Sequence, residues 1–117
     1  MSTKSVTLYG IKNCDSVKKA RKYLENLDIN YSFHDFRVDG LEQKKLVSWV
    51  GVLGWKKVLN TRSTSWRQLP DEQKESITET SALTLMLENP TLIKRPVTEI
   101  DDKLLVGFKE AEYQGYF

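Results

Sequence analysis

The chain has 117 residues, of which 39% are hydrophobic and 29% are charged, and its formal net charge is +2. This composition excludes a disordered chain and predicts one globular domain over residues 1–117, because domains commonly run to about 100–150 residues. The small net charge gives no indication of nucleic-acid binding, and the apolar stretches fall far short of the ~18 residues that cross a membrane. Residues 1–5 lack the apolar segment of a signal peptide, so we expect a cytoplasmic protein, which we take to be a monomer.

The first 36 residues predict a βαβ unit. Val6–Tyr9 is a short apolar run closed by Gly10, which is typical of a strand that enters a loop. From Asp15 to Asn26 apolar residues recur every three or four positions, which predicts an amphipathic helix. Tyr31–Phe36 alternates and is rich in aromatic residues, so it predicts a second strand, parallel to the first.

The middle of the chain predicts helices. Asp39-Gly40 marks a turn, and Gly54 ends an amphipathic helix whose apolar residues are Leu41, Leu46, Trp49, Val50 and Leu53. The polar residues Asn60–Ser65 predict a loop. Two further short helices are expected, over Asp71–Thr80 and Ser81–Leu87.

The last quarter predicts a β-hairpin. Val97–Ile100 and Leu104–Val106 are apolar runs separated by the acidic pair Asp101-Asp102, and Phe108–Phe117 predicts a short closing helix. The predicted fold is therefore α/β, a mixed sheet made of the N-terminal βαβ unit and this hairpin, with a helical insertion between them.

Cys14 is the only cysteine of the chain. A single cysteine excludes an internal disulfide and an all-cysteine metal cluster, so the thiol is either a buried packing group or a reactive one. The N-terminus of the predicted helix and the nearby Lys12 and Lys18 favour the reactive thiolate, whereas Asp15 opposes it. The polar neighbour Asn13 also favours a reactive thiol over a core cysteine.

Two other signals have plainer interpretations. His34, the only histidine, lies in the second predicted strand, where a structural role is favoured over a catalytic base, and no cluster of metal ligands accompanies it. The basic residues Lys18, Lys19, Arg21 and Lys22 form a solvated helix face or attract an anionic molecule such as glutathione.

Five segments of the chain resemble one protein family. The segments YGIKNCD, FHDFRVDGL, LGW, LNTRSTSWRQL and LIKRP resemble the arsenate reductase family (ArsC), which also includes Spx-type transcription regulators, and in particular its bacterial YffB subgroup. The resemblance implies a thioredoxin-like fold in which Cys14 is the nucleophile and Arg95 is the arginine of an IxRP motif. It also implies that Pro96 lies at the mouth of the site with a cis peptide bond.

The sequence departs from this family at several site positions. The histidine four residues before the nucleophile is replaced by Gly10. The arginine of the central loop falls on Asn60, with Arg62 displaced by two residues, and that of the last hairpin falls near Val106. The second cysteine of the Spx-type switch falls on Val17, which excludes an internal disulfide sensor.

These residues together predict a glutathione-dependent thiol reductase. Cys14 attacks an oxidised sulfur or oxyanion substrate, and a thiol of glutathione or of a glutaredoxin-type donor resolves the adduct, because the chain has no second cysteine. Arg95, Arg62 and Asn60, with Lys12, Asn13 and Pro96, are the candidate residues that bind the anionic substrate or glutathione. No bound cofactor, metal, nucleic acid or membrane is expected. The alternatives are an arsenate reductase and a non-enzymatic, Spx-like regulator that binds a protein.

Overall fold

The computed structural model describes residues 5–117, which fall into two compact units. The first unit consists of the described residues up to Gly40 together with Arg95–Phe117, and the second spans Leu41–Lys94. That the whole chain is a single domain stays a prediction. The expected absence of a signal peptide also stays a prediction, since residues 1–4 lie outside the described range.

The first unit is built on a mixed four-stranded sheet with the strand order β2-β1-β3-β4. The strands are β1 (Val6–Gly10), β2 (Ser32–Asp35), β3 (Val97–Ile100) and β4 (Lys103–Val106). β1 pairs parallel with β2 and antiparallel with β3, while β3 and β4 form an antiparallel hairpin. The predicted βαβ unit and the predicted hairpin are both confirmed.

Helix α1 packs on one face of this sheet and has the bounds that its period predicts, Asp15–Asn26. Its buried residues Val17, Ala20 and Leu24 join a core that also contains Val6, Leu8, Ile100, Leu105 and Tyr113. Full burial of a large apolar side chain contributes roughly 1.5–3 kcal/mol, so these contacts hold α1 firmly against the sheet.

Two short helices complete the first unit, α2 (Phe36–Asp39) and, near the end of the chain, α8 (Glu110–Gln114). The predicted second strand is too long, because Phe36 already belongs to α2. Asp35 ends the strand as the N-cap of α2, and its carboxylate accepts a hydrogen bond from the backbone N–H of Arg37 at 2.8 Å.

The second unit contains the predicted helical insertion. Its helices are α3 (Gln43–Leu53), α4 (Trp55–Val58), α5 (Thr64–Arg67), α6 (Asp71–Glu75) and α7 (Glu79–Glu88). α3 buries Leu46, Trp49 and Val50, and α7 buries Ala82 and Met86. A 3₁₀ turn over Pro90–Leu92 follows, and Ile93 then forms an antiparallel bridge with Leu59.

The predicted junction between the last two helices of this unit is wrong. α6 ends at Glu75, and α7 begins at Glu79 rather than Ser81. A capping box explains this start, since Thr78 accepts a hydrogen bond from the backbone N–H of Ser81 and the Ser81 hydroxyl accepts one from that of Thr78.

Three smaller differences from the prediction concern the starts of α3 and α5 and the presence of α4. The predicted helix includes Leu41, whereas α3 begins at Gln43 with Glu42 as its N-cap. The predicted loop Asn60–Ser65 is interrupted by α5, which starts at Thr64 because the Ser63 hydroxyl accepts a hydrogen bond from the backbone N–H of Trp66. α4 is not predicted at all, since a four-residue helix is too short to show a hydrophobic period.

Within residues 5–117, no helix has the length and apolar character that a membrane span requires. In the same range, no three side chains of the types His, Cys, Asp and Glu are grouped as ligands for a metal ion.

Tyr113 of α8 closes the core of the first unit. Its hydroxyl is hydrogen-bonded to the hydroxyl of Thr98 on β3 at 2.6 Å, and both side chains are buried. Its ring packs edge-on against Phe108 and Tyr23. The pKa of Tyr113 is raised from 10.0 to about 12: burial is the largest cause, the hydrogen bond to Thr98 lowers the pKa, and the charge of Glu112 raises it.

We expect Tyr113 to make the free energy of unfolding depend on pH at alkaline values. Below pH 10 the tyrosine is protonated in both states, and between about pH 10 and 12 it ionises in the unfolded chain first, which destabilises the fold. A difference of about two pKa units corresponds to about 2.7 kcal/mol. Urea unfolding at several pH values between 10 and 12 gives the free energy of unfolding of the wild type and of Tyr113→Phe. This free energy should fall more steeply with pH in the wild type, and an equal pH dependence in both proteins would contradict the assignment.

Candidate active site

The candidate site lies at one end of the sheet of the first unit. β1 ends there at Gly10, which is paired with Asp35 of β2. β3 begins at the same end, because it runs antiparallel to β1 and Tyr9 is paired with Val97, the residue after Pro96. The end of β1 and the Arg95-Pro96 dipeptide therefore lie at the same end of the sheet, which we call the site edge.

Cys14 lies in the loop that leaves β1 at this edge. A turn places it at the N-cap of α1, since its backbone N–H donates to the carbonyl oxygen of Ile11 at 3.2 Å and its own carbonyl accepts from Lys18 at 2.9 Å. The side chain makes no capping hydrogen bond, is half-buried and contacts the core cluster. The thiol is thus available beside the first turn of α1, where backbone N–H groups stabilise negative charge.

Asp35 holds this loop in place. Its side chain is only 8% exposed, and one carboxylate oxygen accepts a hydrogen bond from the backbone N–H of Lys12 at 3.1 Å. Sequence reasoning missed this residue. The available signal was a carboxylate inside the aromatic strand segment FHDF, because a buried Asp nearly always has hydrogen-bond partners. The side chains of Lys12 and Asn13 are exposed on the loop that Asp35 anchors.

The structure confirms the predicted cis peptide bond between Arg95 and Pro96. The Pro96 carbonyl oxygen accepts a hydrogen bond from the backbone N–H of Gly107 at 2.8 Å, which joins this dipeptide to the residue after β4. Arg95 is half-buried. Cys14 thus follows β1, and Arg95 and Pro96 precede β3, the strand of the same unit that is paired with β1.

Asn60 and Arg62 belong to the second unit, and their participation in the site stays a prediction. The Asn60 side-chain oxygen accepts a hydrogen bond from the backbone N–H of Arg62 at 3.1 Å. The Asn60 carbonyl also accepts one from the Ser63 hydroxyl. Asn60 thus shapes its own turn, while the guanidinium of Arg62 is exposed.

His34 is engaged in local contacts of the first unit. Its Nε2 lies 2.6 Å from the carbonyl oxygen of Gly40, which can only accept, so Nε2 carries a proton and donates it. The ring also lies 5.0 Å from that of Tyr9 on the paired strand. These contacts support the structural interpretation of His34.

Gly10 permits the close approach of β1 and α1. A Cβ atom at this position would lie 2.6 Å from Cγ2 of Val17, which is fully buried and β-branched. Val17 is stiff and enclosed, so it has little freedom to move away. A side chain at position 10, including the family's histidine, is therefore incompatible with Val17 in this packing.

We expect Gly10→Ala to destabilise the protein by roughly 1–3 kcal/mol, because the added methyl overpacks the core. Val17→Ala should relieve the clash, so the double variant should lose less stability than the sum of the two single variants. Chemical denaturation of all four proteins measures this coupling.

Gly51→Ala is the matched control for this experiment. Gly51 lies in the interior of α3, and a Cβ there would meet nothing within 4 Å. The same substitution should stabilise the protein there by about 0.5–1 kcal/mol. Strict additivity of Gly10→Ala and Val17→Ala would contradict the proposed contact.

Comparison with known proteins agrees with this geometry. The sequence model of the ArsC family matches residues 9–116. A protein of Haemophilus influenzae is 50% identical over 112 residues, which are 96% of this chain and 98% of that protein. The Spx global transcriptional regulator of Streptococcus pyogenes is 26% identical over 95% of this chain and 84% of its own length.

Two solved structures share the fold over almost the whole chain. A YffB protein superimposes with a TM-score of 0.90 at 42% identity, over 95% of this chain and 97% of its own. An arsenate reductase (ArsC) related protein of Brucella melitensis does so with a TM-score of 0.81 at 45% identity, over 100% and 98%. The resemblance is confirmed, the mixed α/β fold is thioredoxin-like, and the chain belongs to the ArsC family.

Proposed function

We propose that this chain is a glutathione-dependent thiol reductase in which Cys14 is the nucleophile. The observation that carries the proposal is the position of its thiol, half-buried at the start of α1 and not used for capping, at the sheet edge that also holds Arg95-Pro96. A thiolate is the reactive form of cysteine, and unpaired backbone N–H groups at a helix start favour it.

In the first step the Cys14 thiolate attacks the glutathione sulfur of a mixed disulfide. A new S–S bond forms between Cys14 and glutathione, the substrate S–S bond breaks, and the electron pair leaves with the substrate sulfur as a thiolate. The substrate is thereby reduced, and Cys14 is left as a mixed disulfide with glutathione.

In the second step an external thiolate must attack this mixed disulfide, since the chain has no other cysteine. A second glutathione attacks the bound glutathione sulfur, so oxidised glutathione is released and the Cys14 thiolate is restored. The net reaction converts one mixed disulfide and one glutathione into one free thiol and one oxidised glutathione. A reduced glutathione pool is needed, which fits the predicted cytoplasmic location.

Arg95 is the proposed contact for the carboxylates of glutathione. A guanidinium presents a planar set of donors that matches a carboxylate, and Arg95 precedes the proline at the candidate site's edge. Lys12 and Asn13, exposed on the Cys14 loop, are further proposed contacts, together with the backbone N–H groups that follow. Arg62 and Asn60 keep their predicted binding roles.

Two other functions are supported by named relatives. The Brucella melitensis protein is described as arsenate reductase related, which would make arsenate the substrate of Cys14. The Spx relative, a global transcriptional regulator, matches 95% of this chain, which supports the alternative of an Spx-like regulator. Arsenate-dependent consumption of glutathione would identify the former, and a cellular function that survives Cys14→Ser would identify the latter.

We expect Cys14→Ser to abolish the glutathione-dependent reduction of a glutathionylated peptide, because the serine hydroxyl is a far weaker nucleophile. Mass spectrometry after exposure to oxidised glutathione should show one glutathionyl group on the wild type and none on the variant. Ser32→Ala, an exposed change on β2, serves as the control and should keep full activity. An unmodified wild-type Cys14 would contradict the proposal.

We expect Arg95→Ala to lower kcat/KM for glutathione by about 10- to 100-fold, which corresponds to loss of a charge-assisted hydrogen bond worth about 1.5–3 kcal/mol. Arg95→Lys should recover only part of the loss, because an ammonium lacks the planar fork. Lys94→Ala removes the same charge from the exposed neighbouring residue and should have little effect. Equal effects of the two alanine variants would argue against a specific contact.

A further inference from the structure

The exposed face of α1 next to Cys14 carries an unusual set of charges. Lys18, Lys19 and Lys22 are exposed on this helix, and Lys12 is exposed on the loop before it; we call these four residues the lysine surface. In the part of the chain that the structure describes, none of the four forms an ion pair. Asp15 and Glu25 are the acidic residues of the helix, so positive charge is in excess.

The fourth basic residue of α1, Arg21, differs from its three lysines. The guanidinium of Arg21 lies 4.4 Å from the ring centroid of Phe33, and its Nε donates to the hydroxyl of Tyr31 at 3.0 Å. Arg21 therefore stabilises the packing of α1 on β2. Within residues 5–117 the four lysines make no such contacts, and Lys18 and Lys22 repel each other across one helical turn. Packing and helix stability thus do not explain the lysine surface.

The lysine surface begins at the reactive thiol and extends away from it. Lys18 follows Cys14 by four residues and Lys22 by eight, which places them on one side of the helix. At 1.5 Å per residue, the row reaches about 12 Å from the N-cap. An exposed helix face of this length is convex, whereas sites for small molecules are usually concave. The shape and charge therefore suit an acidic protein surface better than a free small thiol.

We propose that the lysine surface docks an acidic protein partner whose cysteine exchanges disulfides with Cys14. This inference rests on the proposed function and names the macromolecular partner for the same thiol. Opposite charges accelerate encounter and orient the partner, so they raise the rate of exchange with a protein without changing the chemistry at sulfur. Free glutathione needs only the contacts proposed above, of which Lys12 alone belongs to the lysine surface.

Two matched peptides test the proposal. Each contains one cysteine as a mixed disulfide with 2-thiopyridine, and they differ only in four Glu residues that are Gln in the neutral peptide. The Cys14 thiolate attacks the peptide sulfur, the S–S bond to thiopyridine breaks, and the released thiolate takes up a proton to give coloured 2-thiopyridone. The second-order rate constant follows from the absorbance, with Cys14→Ser as the blank.

At low ionic strength we expect the acidic peptide to react roughly tenfold faster than the neutral one, and the preference to vanish near 0.5 M salt, about where the Debye length falls to a few Å. Lys18→Glu/Lys22→Glu should reverse the preference, measured as the ratio of the two peptides' rate constants, because any effect of Lys18 on the Cys14 thiolate changes both rates alike and cancels in the ratio. Lys44→Glu/Lys103→Glu changes the net charge by the same amount, and both residues are exposed. Neither belongs to the lysine surface, and Lys103 lies at the other end of the sheet, opposite Ile100. This control should keep the preference.

The outcomes distinguish a failure of the docking inference from a failure of the proposed function. Equal rates of the two peptides with the wild type, or an equal loss of preference in both double variants, would overturn the docking inference and leave the proposed reductase intact. No release of thiopyridone from either peptide would overturn the proposed role of Cys14, and the docking inference with it.

Discussion

The close contact between β1 and α1 at Gly10 and Val17 is the constraint on which the site depends. With no Cβ at position 10, the helix approaches the strand so closely that Val17 fills the space where a side chain would stand. Cys14 lies between these two residues in the chain, so the same contact brings the start of α1 to the edge of the sheet. Gly10 and Val17, which lie next to each other, are also the positions at which the resembling proteins have a histidine and, in the Spx type, a second cysteine. This contact explains why position 10 has no side chain.

Because the histidine and the second cysteine are absent, the proposed reaction depends on groups that another molecule supplies. A nearby histidine would supply charge or a proton at the sulfur, and a second cysteine would resolve an adduct. In the proposed function the thiol has the backbone of the first helical turn and the nearby cations, and another molecule resolves the adduct because the chain has no second cysteine. The exposure of the loop residues Lys12 and Asn13 and of the lysine surface fits a site that must admit a second thiol.

Elements with a clear hydrophobic period could be predicted from the sequence, and short elements could not. α1 has its predicted bounds because three turns of apolar spacing define it, and the sheet follows from its alternating runs. The start of α7 depends instead on a capping box at Thr78, and α4 is a single turn. The role of Asp35 depends on Lys12, a residue 23 positions away that only the parallel pairing of β1 and β2 brings near.

Cys14 itself shows why its role is not one of helix stability. An N-cap side chain that accepts a hydrogen bond contributes about 1 kcal/mol relative to alanine, and Ser, Thr, Asp and Asn are preferred there. Thr78, Ser63 and Asp35 make such bonds at other helices of this chain, whereas the thiol of Cys14 makes none. Serine at position 14 would therefore fit the helix at least as well as cysteine does. A loss of activity on that replacement would thus report on the chemistry of sulfur rather than on the fold.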